Sequence, residues 1–550
     1  MGGPGPYTRL ISYSRVQDLR AENQKFGELP PEITLPGFDP VEGNKPRPWV
    51  YMGPGLFHAG PRGPDILEED NGLGHIHIKM TPTTNNVAGF ADYTGPSDPR
   101  QVPLAIWTAR TPVLKLVKCE SVHITDLRIQ HGTKAVRMDK CTDVRLDHVT
   151  VLAGPHGVDI ADGSDGCMLT DCVVDGGMPP WYFRSDRKDG YQFKDGDKIR
   201  TDGLGEGTLR ALLEGHGSCT NTKIRQCEFV NAHDLLLFGT TPEFSRNWLF
   251  NLNDDALFAE TLGITDARIF ENVMEQCLTA ISFARGVAGN GVAVYRNLFD
   301  LRRPTAGRRP LADPNAPVDP DEPKDPLRFG QLFKSDLPDG PLSLFHNTVV
   351  LRDQVGRVAF KHLNDAQPDD EPQCPFMPRR SFNNILVSLN TPSQKPISWL
   401  PNPTWPAATD GNCYVREGTS PSGVLFRHFA YRFPGASVDV DGASFATLEA
   451  MRAAAIFKDS AALHPPGYEA SSIAEDPRFQ NVPALADSSP QDDFRLAPDS
   501  PCRGRGVILP ADLRAVDGAS PDERPDIGCF RADAPPLAVG VDGLRAFPAS

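Results

Sequence analysis

The residues best placed to do chemistry are Asp254 and Asp255, a tandem acidic pair in the stretch Asn251-Leu252-Asn253-Asp254-Asp255-Ala256-Leu257-Phe258-Ala259-Glu260. Two carboxyls held close together cannot both ionise freely. One keeps a proton where the other has lost it, so a single residue type supplies both a general acid and a general base. Such a pair needs a rigid frame, and the surrounding sequence supplies one.

That frame is a degenerate repeat beginning near residue 113. Ser121-Val-His-Ile-Thr-Asp-Leu-Arg-Ile is echoed by Asp143-Val-Arg-Leu-Asp-His-Val-Thr-Val, Gly166-Cys-Met-Leu-Thr-Asp-Cys-Val-Val and Asn221-Thr-Lys-Ile-Arg-Gln-Cys-Glu-Phe, with further copies at 266, 291 and 341. Matched apolar residues Ile124, Leu146 and Leu169 lie 22 and 23 residues apart, and Asn247, Asn272 and Asn297 recur every 25, with Asn347 and Asn384 continuing the series. A short β-rich unit of this period cannot bury its own apolar face and must stack on its neighbours, as one coil of a parallel β-helix does. The asparagines read as a structural ladder of side-chain amides.

The predicted fold is all-β, a right-handed parallel β-helix. Residues 1–112, rich in Pro and Gly, form an irregular N-terminal cap or preceding module. The helix runs over 113–390 with insertions at 173–214 and 302–328, and 391–550 holds C-terminal coils and a closing segment.

Aligning a second strand in each copy makes two polar columns. One reads Lys134, His156, Asp234, Asp254, Thr279, and the other Lys140, Asp162, Thr240, Glu260, Arg285. A middle column, Arg137, Asp159, Leu237, Leu257, Ser282, points away from the core by alternation. Neighbouring strands stack about 4.8 Å apart, so Asp234 and Asp254 on successive coils bring two carboxylates together. The first function this predicts is glycoside hydrolysis: Asp254, Asp255 and Asp234 supply acid and base with Glu260 nearby, and His156 or His233 orients substrate. Trp181 and Tyr182 in the first insertion would stack on sugar faces. Arg285, Asp162 and Lys334 complete the substrate-binding set.

The same columns admit a second chemistry, lyase or uronate epimerase. A base drawn from Lys134, Arg137, Arg285 and Lys334 removes the proton next to a carboxylate, while Asp234, Asp254 and Asp255 hold Ca²⁺ that neutralises the acid group. Hydrolysis needs no cofactor. A third reading is a non-catalytic glycan-binding β-helix whose charges are a solvated face.

The formal charge of -15 and pI near 5.4 argue against broad binding to nucleic acid or an anionic membrane. No apolar run approaches the roughly 18 residues of a spanning helix. The opening Met1-Gly2-Gly3-Pro4-Gly5-Pro6 lacks the regions of a signal peptide. The expected partner is a polysaccharide or oligosaccharide, met outside the cytoplasm or in a periplasm, with oligomeric state left open. Eleven cysteines without a CxxC pair follow the repeat, and so read as stacked buried thiols, not as a metal site.

Asp476-Pro477-Arg478-Phe479, Phe494-Arg-Leu-Ala-Pro-Asp-Ser-Pro501 and Asp526-Ile-Gly-Cys-Phe530 resemble the closing segment of many bacterial right-handed β-helix proteins, a group of polysaccharide lyases and glycoside hydrolases. Asn253-Asp254-Asp255 and Gly215-His216-Gly217 are similar to fragments of the polygalacturonase-like hydrolases. Here Gly-His-Gly precedes the acidic pair, and neither Asn-Thr-Asp before it nor Arg-x-Lys after it is present, so the resemblance implies an architecture and leaves the reaction open.

Overall fold

A computed structural model describes residues 112–131, 134–153, 156–161, 163–176, 218–232, 235, 239–259, 264–283, 287–303, 330–335, 341–352, 379–389, 407–417, 443–459, 467–483, 485, 487–489, 491–518, 524–531 and 534–547. It also describes short segments at 7–8, 57–58, 65–66, 76–79, 86–89, 98–101, 105–107, 193–195, 198–200, 211–215, 398–400, 426–428, 431–432 and 439–440. The chain divides into two compact units. One comprises 1–240, 309–314 and 540–543; the other comprises 241–308, 315–539 and 544–550.

The first unit is a stack of parallel coils. Its stacked strands include β1 (Leu114–Val117), β2 (Glu120–His131), β3 (Lys134–Asp139), β4 (Thr142–Ala153), β5 (His156–Ile160), β6 (Met168–Thr170), β7 (Val173–Asp175), β8 (Ala211–Gly215), β9 (Lys223–Arg225) and β10 (Glu228–Ala232). One sheet stacks β1, β3, β5 and β8, and the other coil faces stack β2, β4, β6, β7, β9 and β10, all parallel. Ile124, Leu146, Leu169 and Ile224 form one inward column, each at most 2% exposed. Each such burial contributes about 1.5–3 kcal/mol. The 22- and 23-residue spacings are therefore the length of one coil.

Each coil bends at left-handed residues that recur in register, and one of these corners is polar throughout. Asp126, His148, Asp171 and Gln226 have φ of 54°, 53°, 48° and 51° and sit at matching register positions. Short polar residues tolerate this region best, which is why Asp recurs there. One such residue bends a strand sharply without a loop, so the corner column is held as rigidly as the sheets it joins.

In the second unit, β11 (Trp248–Ala259) pairs with β12 (Val273–Phe283), which pairs with β13 (Gln331–Ser335), again parallel. The asparagine ladder is present: amide nitrogens of Asn247, Asn272, Asn297 and Asn347 donate to the Oδ1 of the next member at 3.0, 2.9, 3.0 and 2.9 Å. It continues to Asn412, which receives Asn384 at 3.0 Å. All the ladder dipoles point one way, and their donor end meets Glu469. This buried carboxyl accepts from Asn412, from Tyr414 Oη at 2.6 Å, and from Thr409 and Ser472. Burial pushes the Glu469 carboxyl up, and the four donors pull it back. Ile473 pairs beside Asn412 and Tyr414, so the closing segment covers the last coil.

A short helix, α1 (Ala511–Asp517), is clamped to the second unit by Arg296, whose Nε and Nη2 reach Asp517 at 2.6 and 2.7 Å. It packs on stacked Phe270, Tyr295 and Phe345, whose successive ring centroids are 4.9 Å apart. All ten described cysteines are free and buried, as the repeat implied. The fold is the expected all-β parallel solenoid. Parallel pairing also reaches beyond the expected bounds: strands at 76–79, 86–89 and 105–107 pair with β1 and β2 ahead of residue 113, and β7 and most of β8 lie inside the expected 173–214 insertion, whose ends are therefore coil.

Candidate functional site

The acidic pair is not arranged as its column predicted. A bulge between Leu252 and Asp255 shifts the register, so Asp255, not Asp254, lies opposite Thr279, and Leu257 lies opposite Ile281. One extra residue in a strand reverses which side chains share a column. Asp255 is only 2% exposed. The side chains of Asp254 and Lys334, and the residues Asp234, Glu260, His233, Asp162, Arg285, Trp181 and Tyr182, lie outside what is described.

His156 stands opposite Lys134 as expected, but its next neighbour is Ala211 of β8, not Asp234. The cause is the coil contributed by the insertion. By alternation His156 shares the side of Val158 and Ile160, so it does not join Arg137 and Asp159 on the outer side. Those two are ion-paired at 3.0 Å, with Asp159 fully buried and Arg137 32% exposed.

The structure gathers a different constellation on the first unit, at the corner column between β2 and its stacked partners. Asp126 Oδ1 lies 2.5 Å from His148 Nδ1, and Thr125 Oγ1 donates to Asp126 Oδ2 at 2.7 Å. Asp126 thus holds the imidazole in one orientation and favours a proton on Nδ1, leaving Nε2 as the basic nitrogen. On the following coil, about 4.8 Å along the stack, stands Asp171. Its Oδ1 accepts the backbone N–H of Asp542 at 2.6 Å. Burial pushes this carboxyl up to about 6, with Asp542 and Asp147 adding to the rise and the Asp542 N–H and His148 opposing it.

The exposed side of β2, β4, β6 and β9 continues the site. Its two outward columns are His123, Arg145, Met168, Lys223 and Thr125, Asp147, Thr170, Arg225. His123 Nε2 meets Asp147 Oδ2 at 3.1 Å. A histidine–carboxylate pair, a carboxyl that keeps its proton into the weakly acidic range, and a row of cations thus share one rim. Sequence reasoning missed it, although Asp126, His148 and Asp171 carry the same 22- and 23-residue spacing as the apolar column.

Among the described residues, no group of three or more His, Cys, Asp or Glu side chains is placed to hold a metal ion, and no helix is long and apolar enough to cross a membrane. No family model matches this chain, and no curated protein matches it. A solved mannuronic acid-specific family 6 polysaccharide lyase from the human gut microbiota is similar at 10% identity and a TM-score of 0.27, over 56% of this chain and 70% of that one. At that level the fold rests on the coils and ladders themselves.

Proposed function

We propose that this chain is a carbohydrate-active enzyme that cleaves a uronate-containing polysaccharide by β-elimination on the rim of its first unit. The observation that carries the reading is the His148–Asp126 pair one coil from the proton-holding Asp171, beside Arg145, Lys223 and Arg225. The cations attract a uronate carboxylate and stabilise the charge that develops when the adjacent C–H proton leaves. His148 Nε2 takes that proton. The C–H electrons form a carbon–carbon double bond, the glycosidic C–O bond breaks, and Asp171 protonates the departing oxygen.

This reading is preferred to hydrolysis by Asp254, Asp255 and Asp234 because the described histidine–carboxylate constellation lies at the His148 corner and the bulge displaces Asp254 from its expected column. Calcium held by those three aspartates belongs to the alternative version of the lyase. A polysaccharide substrate places the work outside the cytoplasm, in an extracellular or periplasmic setting.

Incubation with a panel of polyuronates and neutral glucans is expected to give an ultraviolet-absorbing unsaturated product from polyuronates only, and to do so in the presence of EDTA. New reducing ends without absorbance would instead identify a hydrolase, and loss in EDTA restored by calcium would move the site to the aspartates. Activity should also follow Asp171. The carboxyl carries its proton below about 6, so turnover should fall as pH rises through that value, and Asp171→Asn should lack that limb. An unchanged profile in the variant removes Asp171 as the acid.

A further inference from the structure

We infer that Arg128 and Thr150 form an oxyanion subsite that takes a sugar carboxylate just past the corner holding Asp126 and His148. The inference rests on the reading above only for the identity of the anion. Arg128 and Thr150 stand directly opposite each other on β2 and β4, two residues beyond Asp126 and His148 respectively. Alternation puts both on the outer side, because Leu127, Ile129, Val149 and Val151 between them fill the core.

Thr150 is 2% exposed, yet its hydroxyl has no hydrogen-bond partner, and the buried Nε of Arg128 has none either. Native folds rarely leave buried donors unmet, and a guanidinium never escapes by losing its proton. The next positions along the same column supply no acceptor: Val173 is apolar, and the Glu228 carboxylate beyond it is engaged by Arg100. A guanidinium edge and a hydroxyl on adjacent strands, about 4.8 Å apart, match the two oxygens of a carboxylate, the geometry that arginine recognises best. A uronate seated there would lie on the two coils that carry the histidine–aspartate pair.

The test uses the full chain and D-glucuronate, followed by NMR titration, with D-glucose as the neutral control. Wild type should bind glucuronate and not glucose. Arg128→Gln should weaken glucuronate ~10-fold or more, Arg128→Lys should recover part of the loss, and Thr150→Val should weaken it several-fold. Thr150→Val should also melt no lower than wild type, because the hydroxyl it removes has no partner to lose. Equal affinity in Arg128→Gln and wild type, or glucose bound as well as glucuronate, overturns the subsite, and a lowered melting point in Thr150→Val shows that its hydroxyl serves the fold. Added sulfate that displaces glucuronate marks a general oxyanion site, and failure to displace marks a carboxylate-selective one; both support it. His148→Asn separates the two proposals. Binding that persists without any cleavage in wild type leaves the subsite standing and the lyase reading refuted.

Discussion

Replacing His148 by asparagine is expected to lower polyuronate cleavage by ~10²–10⁴-fold, the usual worth of a positioned general base, while leaving the fold intact. The second half of that expectation follows from the backbone. His148 sits at φ 53°, a conformation that asparagine adopts more readily than almost any other non-glycine residue. The variant therefore removes the basic nitrogen without disturbing the corner. Asp126→Asn is the companion change. It keeps the size and the left-handed turn but loses the charge that favours the Nδ1-protonated tautomer, so its effect on kcat should approach that of the histidine itself. Initial rates at saturating polyuronate, with melting curves alongside, make the check. Full activity in both variants would remove the corner from the chemistry and return attention to the acidic residues around Asp254.

The architecture was legible because its signals are local and repeated. A coil length of 22 to 25 residues, apolar residues at fixed offsets and an asparagine at one position are each visible in a single chain. Asn412 follows Asn384 by 28 residues in a stretch where the apolar repeat has faded, so its place in the ladder shows only in the folded chain. Nor could Glu469 be found as the end of the ladder, since it reaches Asn412 only after an intervening segment folds back.

The site was less legible for two physical reasons. A bulge adds one residue to a strand and leaves no mark in composition, so the column drawn through Asp254 and Thr279 is displaced by one at Asp255. An inserted coil has the same effect on a larger scale, and places Ala211 where Asp234 was expected beside His156. By contrast Asp126, His148 and Asp171 align with no insertion between them. That column is visible in the sequence at the same spacing as the apolar one, but it lies in a different register from the acidic pair. The close approach of Asp542 to Asp171 depends on the far end of the chain and has no local signature.

The ladder that made the fold legible should also be where a single substitution costs most in stability. Asn347 accepts the backbone N–H and the side-chain amide of Asn297 at 3.0 Å each, and its own amide donates to the carbonyls of Val294 and Phe345 and to Asn384 Oδ1 at 2.9, 3.1 and 2.9 Å. Asn347→Ala leaves several of these partners buried without a bond. At about 1–3 kcal/mol for each orphaned group, partly offset by relaxation, the expected loss is on the order of 4 kcal/mol. Asn347→Asp should be no milder. It keeps an oxygen for Asn297 but turns a charged acceptor toward Asn384 Oδ1 and two carbonyls, all of them acceptors, in a residue with no exposure. Urea or thermal unfolding of the two variants against wild type is the measurement. A loss below 1 kcal/mol in both would mean that the amides only fill space. A large loss in both means that the ladder's directional hydrogen bonds, running toward Glu469, hold adjacent coils in register.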